Sequence, residues 1–182
     1  MRNSCTLAIL GAAATAAVCG TASAQIWAEV GDAPVRPAFQ ITVGGGPLTA
    51  ITGLGNTDAA GTIDVDFYCV HIDGTQWSAS TLGGANWDTM LALYAMDGVT
   101  QLIANDDAGG TLQSFIGGTN PITGDYLLGI TRFADFGWDD IGGQGTSPYR
   151  IELTGMSYCQ VPAPSALALM GLGGLAVARR RR

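Results

Sequence analysis

The chain has 182 residues, and its 15 acidic and 8 basic side chains give a formal net charge of -7 at pH 7. Five of the arginines lie near the two ends, so residues 25–160 carry 3 minus 15, or -12, and no lysine. This balance argues against nucleic acid or an anionic membrane as a partner of that region, because phosphate binding needs a clustered basic face.

The first 24 residues have the layout of a secretory signal peptide. A basic start is followed by an apolar, alanine-rich stretch at 7–18 and by small residues at 22–24. We expect signal peptidase to cut between Ala24 and Gln25, so that an exported mature chain begins at Gln25. Lipoprotein processing at Cys19 is the alternative, although alanine stands before it where a lipobox has leucine or a similar residue.

Residues 25–160 have the pattern of one domain made of short strands and turns. Residues 63–67 alternate apolar with acidic side chains, which places Asp64 and Asp66 on one strand face that we expect to be solvated. Glycine-rich turns separate further strand-like segments at 76–81, 89–95, 99–104, 112–116, 126–131 and 149–154. This pattern predicts an all-β antiparallel sandwich or barrel, with a long exposed loop at 134–148.

Four motifs follow one another along these segments: Asp-x-Asp-x-Tyr at 64–68, Asp-Thr-x-Leu-x-Leu-Tyr at 88–94, Asn-Asp-Asp at 105–107 and Gly-x-Tyr at 124–126. Residues 60–155 therefore resemble the bacterial pre-peptidase C-terminal domain. The chain departs from that family at Asp125, where threonine or serine is frequent, and in the long loop after Phe133. The resemblance implies a jelly-roll-like β-sandwich that serves as a non-catalytic accessory or surface module, with residues 41–55 adding an early strand or two.

Two of the four cysteines lie in the signal peptide, so the mature chain keeps Cys69 and Cys159. Disulfides persist outside the cytoplasm, and we expect these two residues to pair. The alternative is two separate buried thiols. Without histidine partners, two cysteines do not make a zinc site.

A turn rich in oxygen-bearing side chains is the predicted metal site. Asn105, Asp106 and Asp107 precede two glycines, and Asp88 begins the strand that leads toward this turn. Calcium takes six to eight oxygen ligands, so this group could bind one Ca2+ ion. The alternative is that these side chains hydrogen-bond their own backbone and only shape the turn. A ligand role for the acidic pair of the 63–67 strand is a lesser possibility.

The sequence offers little support for catalysis. His71 is its one histidine, and no nucleophile elbow, zinc-protease motif or P-loop occurs, so we predict no enzyme activity. Carboxylate pairs for glycoside cleavage are numerous, but sequence does not fix their separation. Among the tryptophans, Trp87 and Trp138 lie next to loops and are the predicted ligand-binding aromatics, whereas Trp77 has the position of a core residue.

The last 22 residues have three parts: a proline-containing start, a short apolar stretch at 165–178 and a basic end. As a helix the apolar stretch would reach roughly 21 Å, less than a bilayer core of roughly 30 Å, which favours temporary retention in the inner membrane. The segment is similar to PEP-CTERM sorting signals, which implies cleavage by an exosortase, with Ala163 in place of the family's glutamate. Its defining residues are Val161, Pro162, Ala163, Pro164, Arg179, Arg180, Arg181 and Arg182.

The sequence therefore predicts a signal peptide at 1–24, a β-sandwich at 25–160 and an apolar sorting helix at 161–182. We expect an exported protein of the cell surface, outer envelope or extracellular matrix, with a structural or adhesive role. A polysaccharide- or protein-binding module, with or without calcium, is the alternative, and a hydrolase is a distant one. Signal peptidase and exosortase are the expected partners during export.

Overall fold

A computed structural model describes residues 25–119, 122–139 and 142–160. The predicted signal peptide and sorting helix lie outside the described residues. Within them, every regular element is a β-strand: β1 (Gln25–Ala28), β2 (Gln40–Ile41), β3 (Leu48–Gly55), β4 (Val65–Gly74), β5 (Trp77–Ser80), β6 (Thr89–Tyr94), β7 (Gln101–Asn105), β8 (Phe115–Gly118), β9 (Ile122–Arg132), β10 (Ser147–Thr154) and β11 (Met156–Tyr158). The described part of the chain contains no helix that could span a membrane.

The strands form two open sheets. One has five strands in the order β1-β3-β10-β5-β8, and the other has the order β11-β4-β9-β6-β7, with the short β2 beside β4. All pairs are antiparallel except β1 with β3 and β2 with β4. This arrangement confirms the predicted all-β, sandwich-like fold, while the jelly-roll connectivity stays a proposal.

Strand β4 is at the centre of the packing because both of its faces are covered. Tyr68, Val70 and Ile72 belong to the larger apolar cluster, together with residues of β3 and β10. The alternate residues Phe67 and Cys69 belong to a second cluster on the other side. The polar alternation at the start of this strand therefore does not mark a solvent-exposed face, since period-2 patterns report only that the two faces differ.

The loop at 134–148 differs from the prediction of full exposure. Trp138 is 2 % exposed and packs against Phe67 and Tyr94, with ring centroids 5.9 and 6.2 Å apart. Asp135 is also buried, and its carboxylate accepts a hydrogen bond from the Trp138 backbone N–H at 3.0 Å. Part of the loop thus covers the second cluster. Burial of a large aromatic side chain contributes more free energy than solvation of the turn would.

The close approach of β4 and β9 leaves room only for glycine at position 129. Gly129 lies opposite Phe67 in the antiparallel register. A Cβ atom at Gly129 would lie 2.6 Å from the Phe67 ring, well inside contact distance. The aromatic ring therefore occupies the space that any other residue at position 129 would need.

Candidate functional site

A cluster of carboxyl groups lies where the N-terminal segment crosses the start of β4. Glu29 follows β1, Asp32 lies in the next turn, and Asp66 is the second residue of β4. One carboxyl oxygen from each of the three lies within 4.8 Å of the other two. Asp66 is 1 % exposed and its neighbour Asp64 is 3 % exposed. The prediction of a solvated face for Asp64 and Asp66 is therefore wrong, because the N-terminal segment and the five-stranded sheet cover them.

Backbone donors hold the glutamate of this acidic cluster in place. Glu29 accepts hydrogen bonds from the backbone N–H groups of Ala33 and Leu54, each at 2.9 Å. Its own N–H donates to the carbonyl of Thr52 at 2.8 Å. These bonds fix a short stretch between β1 and β2 against the edge of β3, so the glutamate reaches the start of β4 without a regular strand of its own.

A pair of tyrosines supports Asp66 from the core side. The Tyr149 hydroxyl donates to Asp66 Oδ2 at 2.8 Å, and the hydroxyls of Tyr149 and Tyr68 share a short hydrogen bond. The other carboxyl oxygen, Asp66 Oδ1, is buried and has no hydrogen-bond donor among the described residues. Burying a polar atom without a hydrogen-bond partner costs free energy, and a proton or a cation on this oxygen would remove that cost.

The electrostatics of the cluster reflect burial and mutual repulsion. Burial, together with the charges of Asp64 and Glu29, raises the pKa of Asp66 to about 10 against the opposing effect of the Tyr149 hydrogen bond. Burial likewise raises the pKa of Asp64 to about 7, although its Oδ2 accepts a hydrogen bond from the Gly145 N–H at 2.7 Å. The pKa of Glu29 is raised as well, first by burial. Ionised carboxylates are therefore unfavourable here unless a positive charge joins them.

A cleft of about 150 Å³ adjoins the acidic cluster at Asp32. Asp32 and Asp64 line this cleft, together with Pro34, Val65 and Gly142. It is large enough for several water molecules, whose share of liquid volume is about 30 Å³ each. An ion could therefore enter with part of its hydration shell.

The predicted calcium turn is more open than this cluster. The charges of Asp107 and Asp106 raise the pKa of Asp88, after the effect of burial, so the three carboxylates lie within electrostatic range. Asp88 Oδ1 is buried without a partner in the described part of the chain. The three do not, however, bring oxygens within 4.8 Å of one another there, and Asn105 Oδ1 has only a long contact of 3.5 Å from the Phe115 N–H. Calcium at Asp88, Asn105, Asp106 and Asp107 stays a prediction.

The two tryptophans predicted to face a ligand are both buried. Trp87 is 7 % exposed, stacks edge-on against Tyr149 at 6.4 Å and donates from Nε1 to the Pro148 carbonyl at 3.3 Å. Trp138 belongs to the second core cluster. Their loop positions in sequence were misleading, because both rings turn inward, and neither presents an aromatic face to solvent.

An aromatic groove instead lies at the edge of the five-stranded sheet, between β5 and β8. It has a volume of about 400 Å³ and is walled by Trp77 and the 47 % exposed Phe115. The remaining lining side chains are small or neutral and polar: Gln76, Ser78, Gly117, Gly118, Thr119 and Thr154. Period-2 alternation correctly predicted Trp77 to be buried, but the pairing of β5 with β8 that forms the groove is not visible in sequence.

Three contacts fix the C-terminal end of the sandwich. A disulfide joins Cys69 of β4 to Cys159, with a Cα–Cα distance of 5.4 Å. The Cys159 N–H donates to the Thr42 hydroxyl, and the Gln160 N–H donates to Asp125 Oδ1 at 3.0 Å. Asp125 also pairs with His71 Nδ1 at 2.8 Å, so the histidine has a structural partner next to the C-terminal end of the sandwich.

The sequence indicated some of these residues and missed others. The two aspartates of β4 stood out by their alternation, and the cysteines by elimination. Glu29, Asp32 and Tyr149 were missed, because only long-range contacts bring them to Asp66. The one signal in the sequence that could have indicated Glu29 and Asp32 was the presence of two acidic residues in the short segment after Gln25.

Comparison with family models gives one match, the PEP-CTERM protein-sorting motif at residues 160–182. No family model supports the resemblance of residues 60–155 to the pre-peptidase C-terminal domain. Comparisons with curated proteins and with solved structures find no match. The motif begins at Gln160, the last described residue of the sandwich, and it implies an exported protein that an exosortase sorts to the cell surface.

Proposed function

We propose that the chain is a non-catalytic protein of the cell surface, outer envelope or extracellular matrix, with a structural or adhesive role. The observation that carries this proposal is the direct succession of a disulfide-closed sandwich and a sorting motif at Gln160. A domain whose C-terminal end is fixed to its core is suited to delivery by a sorting segment that follows it directly. The resemblance of residues 60–155 to a non-catalytic accessory module supports the same proposal.

The sorting segment is expected to act only during export. Its apolar stretch holds the chain in the inner membrane, with the arginine tail on the cytoplasmic side, until exosortase cleaves near the prolines. Signal peptidase acts at the other end. The released domain, with a formal charge of -12 over residues 25–160, is then strongly acidic and well solvated.

Processing and location can be tested together in the host. We compare the unmodified chain with a Pro162→Ala, Pro164→Ala double variant and with a Ser165→Ala control, and we separate inner membrane, outer envelope and matrix. The double variant should accumulate in the inner membrane with its arginine tail, whereas the control should be cleaved and sorted normally. Normal surface delivery of the double variant would contradict the proposed sorting.

The structural or adhesive role has its own test. A strain without the protein should form a matrix or cell aggregate that disperses at lower shear than that of the parent strain. Expression of the full chain in this strain should restore cohesion, whereas expression of residues 1–160 alone should not. Unchanged cohesion in the deletion strain would refute the role while leaving the sorting proposal intact.

A polysaccharide-binding module is the second candidate, and the groove between β5 and β8 favours it. Saccharides are bound by aromatic faces together with neutral hydroxyl and amide groups, which is the lining found here. We expect the purified protein to be retarded in gels that contain the host's extracellular polysaccharide. Phe115→Ala should weaken this binding about tenfold, as expected for loss of roughly 1.4 kcal/mol, and the exposed Phe136→Ala should not. Equal retardation of both variants would reject the groove.

A hydrolase remains a distant alternative. His71 pairs with Asp125 beside the disulfide, and the groove is lined by neutral side chains in the described part of the chain. The buried carboxyl pair of Asp64 and Asp66 is the other place where acid chemistry is conceivable, but aromatic and backbone groups surround it rather than a substrate-sized cavity.

A further inference from the structure

We infer that Glu29, Asp32 and Asp66 form a binding site for a hard divalent cation, calcium above all, between the N-terminal segment and β4. This inference goes beyond the proposed surface role, because it assigns a ligand to a part of the molecule that neither the sorting motif nor the groove involves. It also differs from the predicted calcium turn, which lies two strands away across β9, at the start of β6 and the end of β7.

The spacing of the three carboxylates suits calcium. Three atoms within 4.8 Å of one another share a central point no more than about 2.8 Å from each, which is 4.8 Å divided by √3. Calcium–oxygen distances are about 2.3–2.6 Å, so shifts of a few tenths of an ångström would complete the contacts. Magnesium needs distances of about 2.0–2.1 Å in near-ideal octahedral geometry, so this upper bound allows a larger mismatch for magnesium than for calcium.

The unpartnered oxygen of Asp66 is the independent observation that points to a ligand. Asp66 is 1 % exposed, and its Oδ1 has no donor among residues 25–119, 122–139 and 142–160. Its Oδ2 is already occupied by the Tyr149 hydroxyl, which fixes the orientation of the carboxyl group. Because one oxygen of this carboxyl group and one of Glu29 lie within 4.8 Å of each other, a positive charge between them would satisfy both groups.

The residues around the three carboxylates hold Glu29 in place and leave a cleft beside Asp32. The Ala33 and Leu54 N–H groups hold Glu29 rigidly, so little side-chain entropy is lost when an ion binds. Asp64 lies within electrostatic range of Glu29 and Asp32 and faces the same cleft. Calcium takes six to eight oxygens, and the three carboxylates with water from the cleft supply such a set, with Asp64 as the next available ligand.

The test uses the exported protein as recovered from its host, after removal of metals with chelator. Calorimetric titration with CaCl2 should show one bound ion, and titration with MgCl2 should show weaker binding. Thermal unfolding should shift upward by about 10 °C at a calcium concentration 100 times the dissociation constant, relative to chelator. Absence of both calcium binding and this shift would overturn the inference and leave a shared proton in the cluster.

Variants locate the ion. Asp32→Asn changes an exposed carboxylate and should fold normally, yet it should weaken calcium binding at least tenfold, and Asp66→Asn should do the same. The matched controls are Asp106→Asn and Asp107→Asn in the predicted calcium turn, which should bind as the unmodified protein does. If calcium binding is lost in the turn variants and kept in Asp32→Asn, the site lies in the turn and the inference is wrong. Failure of polysaccharide binding or of surface sorting would not affect this result.

Discussion

Replacing Asp66 with asparagine should stabilise the protein in the presence of chelator, even though the residue is buried and hydrogen-bonded. The asparagine side chain has nearly the shape of the aspartate. Its carbonyl oxygen can accept the Tyr149 hydroxyl, and its amide can donate to Glu29. The variant thus keeps the hydrogen bonds of the cluster and removes the group that burial penalises most.

The size of this effect follows from the pKa of Asp66. Burial raises this pKa from an ordinary value of 3.8 to about 10. At pH 7 the folded chain therefore holds a proton on Asp66 that the unfolded chain releases, so folding is disfavoured by about 4 kcal/mol relative to a neutral side chain. Because the folded pKa is the higher one, this penalty grows as pH rises from about 4 toward 10 and is only about 1 kcal/mol at pH 4.5.

Urea unfolding of the unmodified protein and of Asp66→Asn, at pH 4.5 and pH 7 in chelator, measures this difference. We expect the variant to gain about 2–4 kcal/mol at pH 7, after an allowance for imperfect repacking, and less than about 1 kcal/mol at pH 4.5. Glu152→Gln, which changes an exposed carboxylate, is the control and should show no such pH dependence. An equal loss of stability for Asp66→Asn at both pH values would refute the argument from burial.

Three further outcomes are expected. Intact mass of native material should correspond to a chain that begins at Gln25 and lacks the four terminal arginines, and recovery of the tail would leave a permanent membrane segment instead. Non-reducing peptide mapping should recover Cys69 and Cys159 as one linked peptide, and free thiols in native protein would rule the bridge out. Replacing both cysteines with alanine should lower the free energy of unfolding by about 4–5 kcal/mol, as the chain-entropy estimate for a 90-residue separation predicts. Gly129→Ala should lower the free energy of unfolding by about 1–3 kcal/mol through its clash with Phe67, whereas Gly143→Ala, where a Cβ meets open space, should change it little.

Local patterns in the sequence were enough to predict strands at β4 to β10, whereas the short strands β1 and β11 were not predicted. The predicted segments 89–95, 126–131 and 149–154 correspond to β6, β9 and β10, with ends that differ by a few residues. Each combines an apolar period of two with flanking turn residues, and both signals act over fewer than ten residues. The prediction for β8 began three residues too early, because Leu112 continues the apolar pattern although it is 58 % exposed in a turn.

Burial of the acidic cluster and of Trp138 could not be predicted in this way. Asp66 is covered by Tyr149, 83 residues further along the chain, and by Glu29 from the N-terminal segment. Trp138 is held by contacts with Phe67 and Tyr94 that cross the loop. These contacts depend on which strands become neighbours, and period-2 alternation is the same whichever partner a strand finds.

Both ends of the sandwich are fastened to the same strand. At the C-terminal end, Cys159 is bonded to Cys69 of β4, three residues beyond Asp66 and on the opposite face of the strand. At the N-terminal end, the proposed cation would bond Glu29 and Asp32 to Asp66. Disulfides form after export, and extracellular modules bind calcium at concentrations of about 10⁻⁴–10⁻³ M, so both fastenings are suited to the compartment that the sorting motif implies. Between these two points β4 is paired on both sides and its first eight residues are buried. A pull on the chain at Gln160 would therefore be transmitted through the disulfide into this strand rather than only into the three-residue edge strand β11.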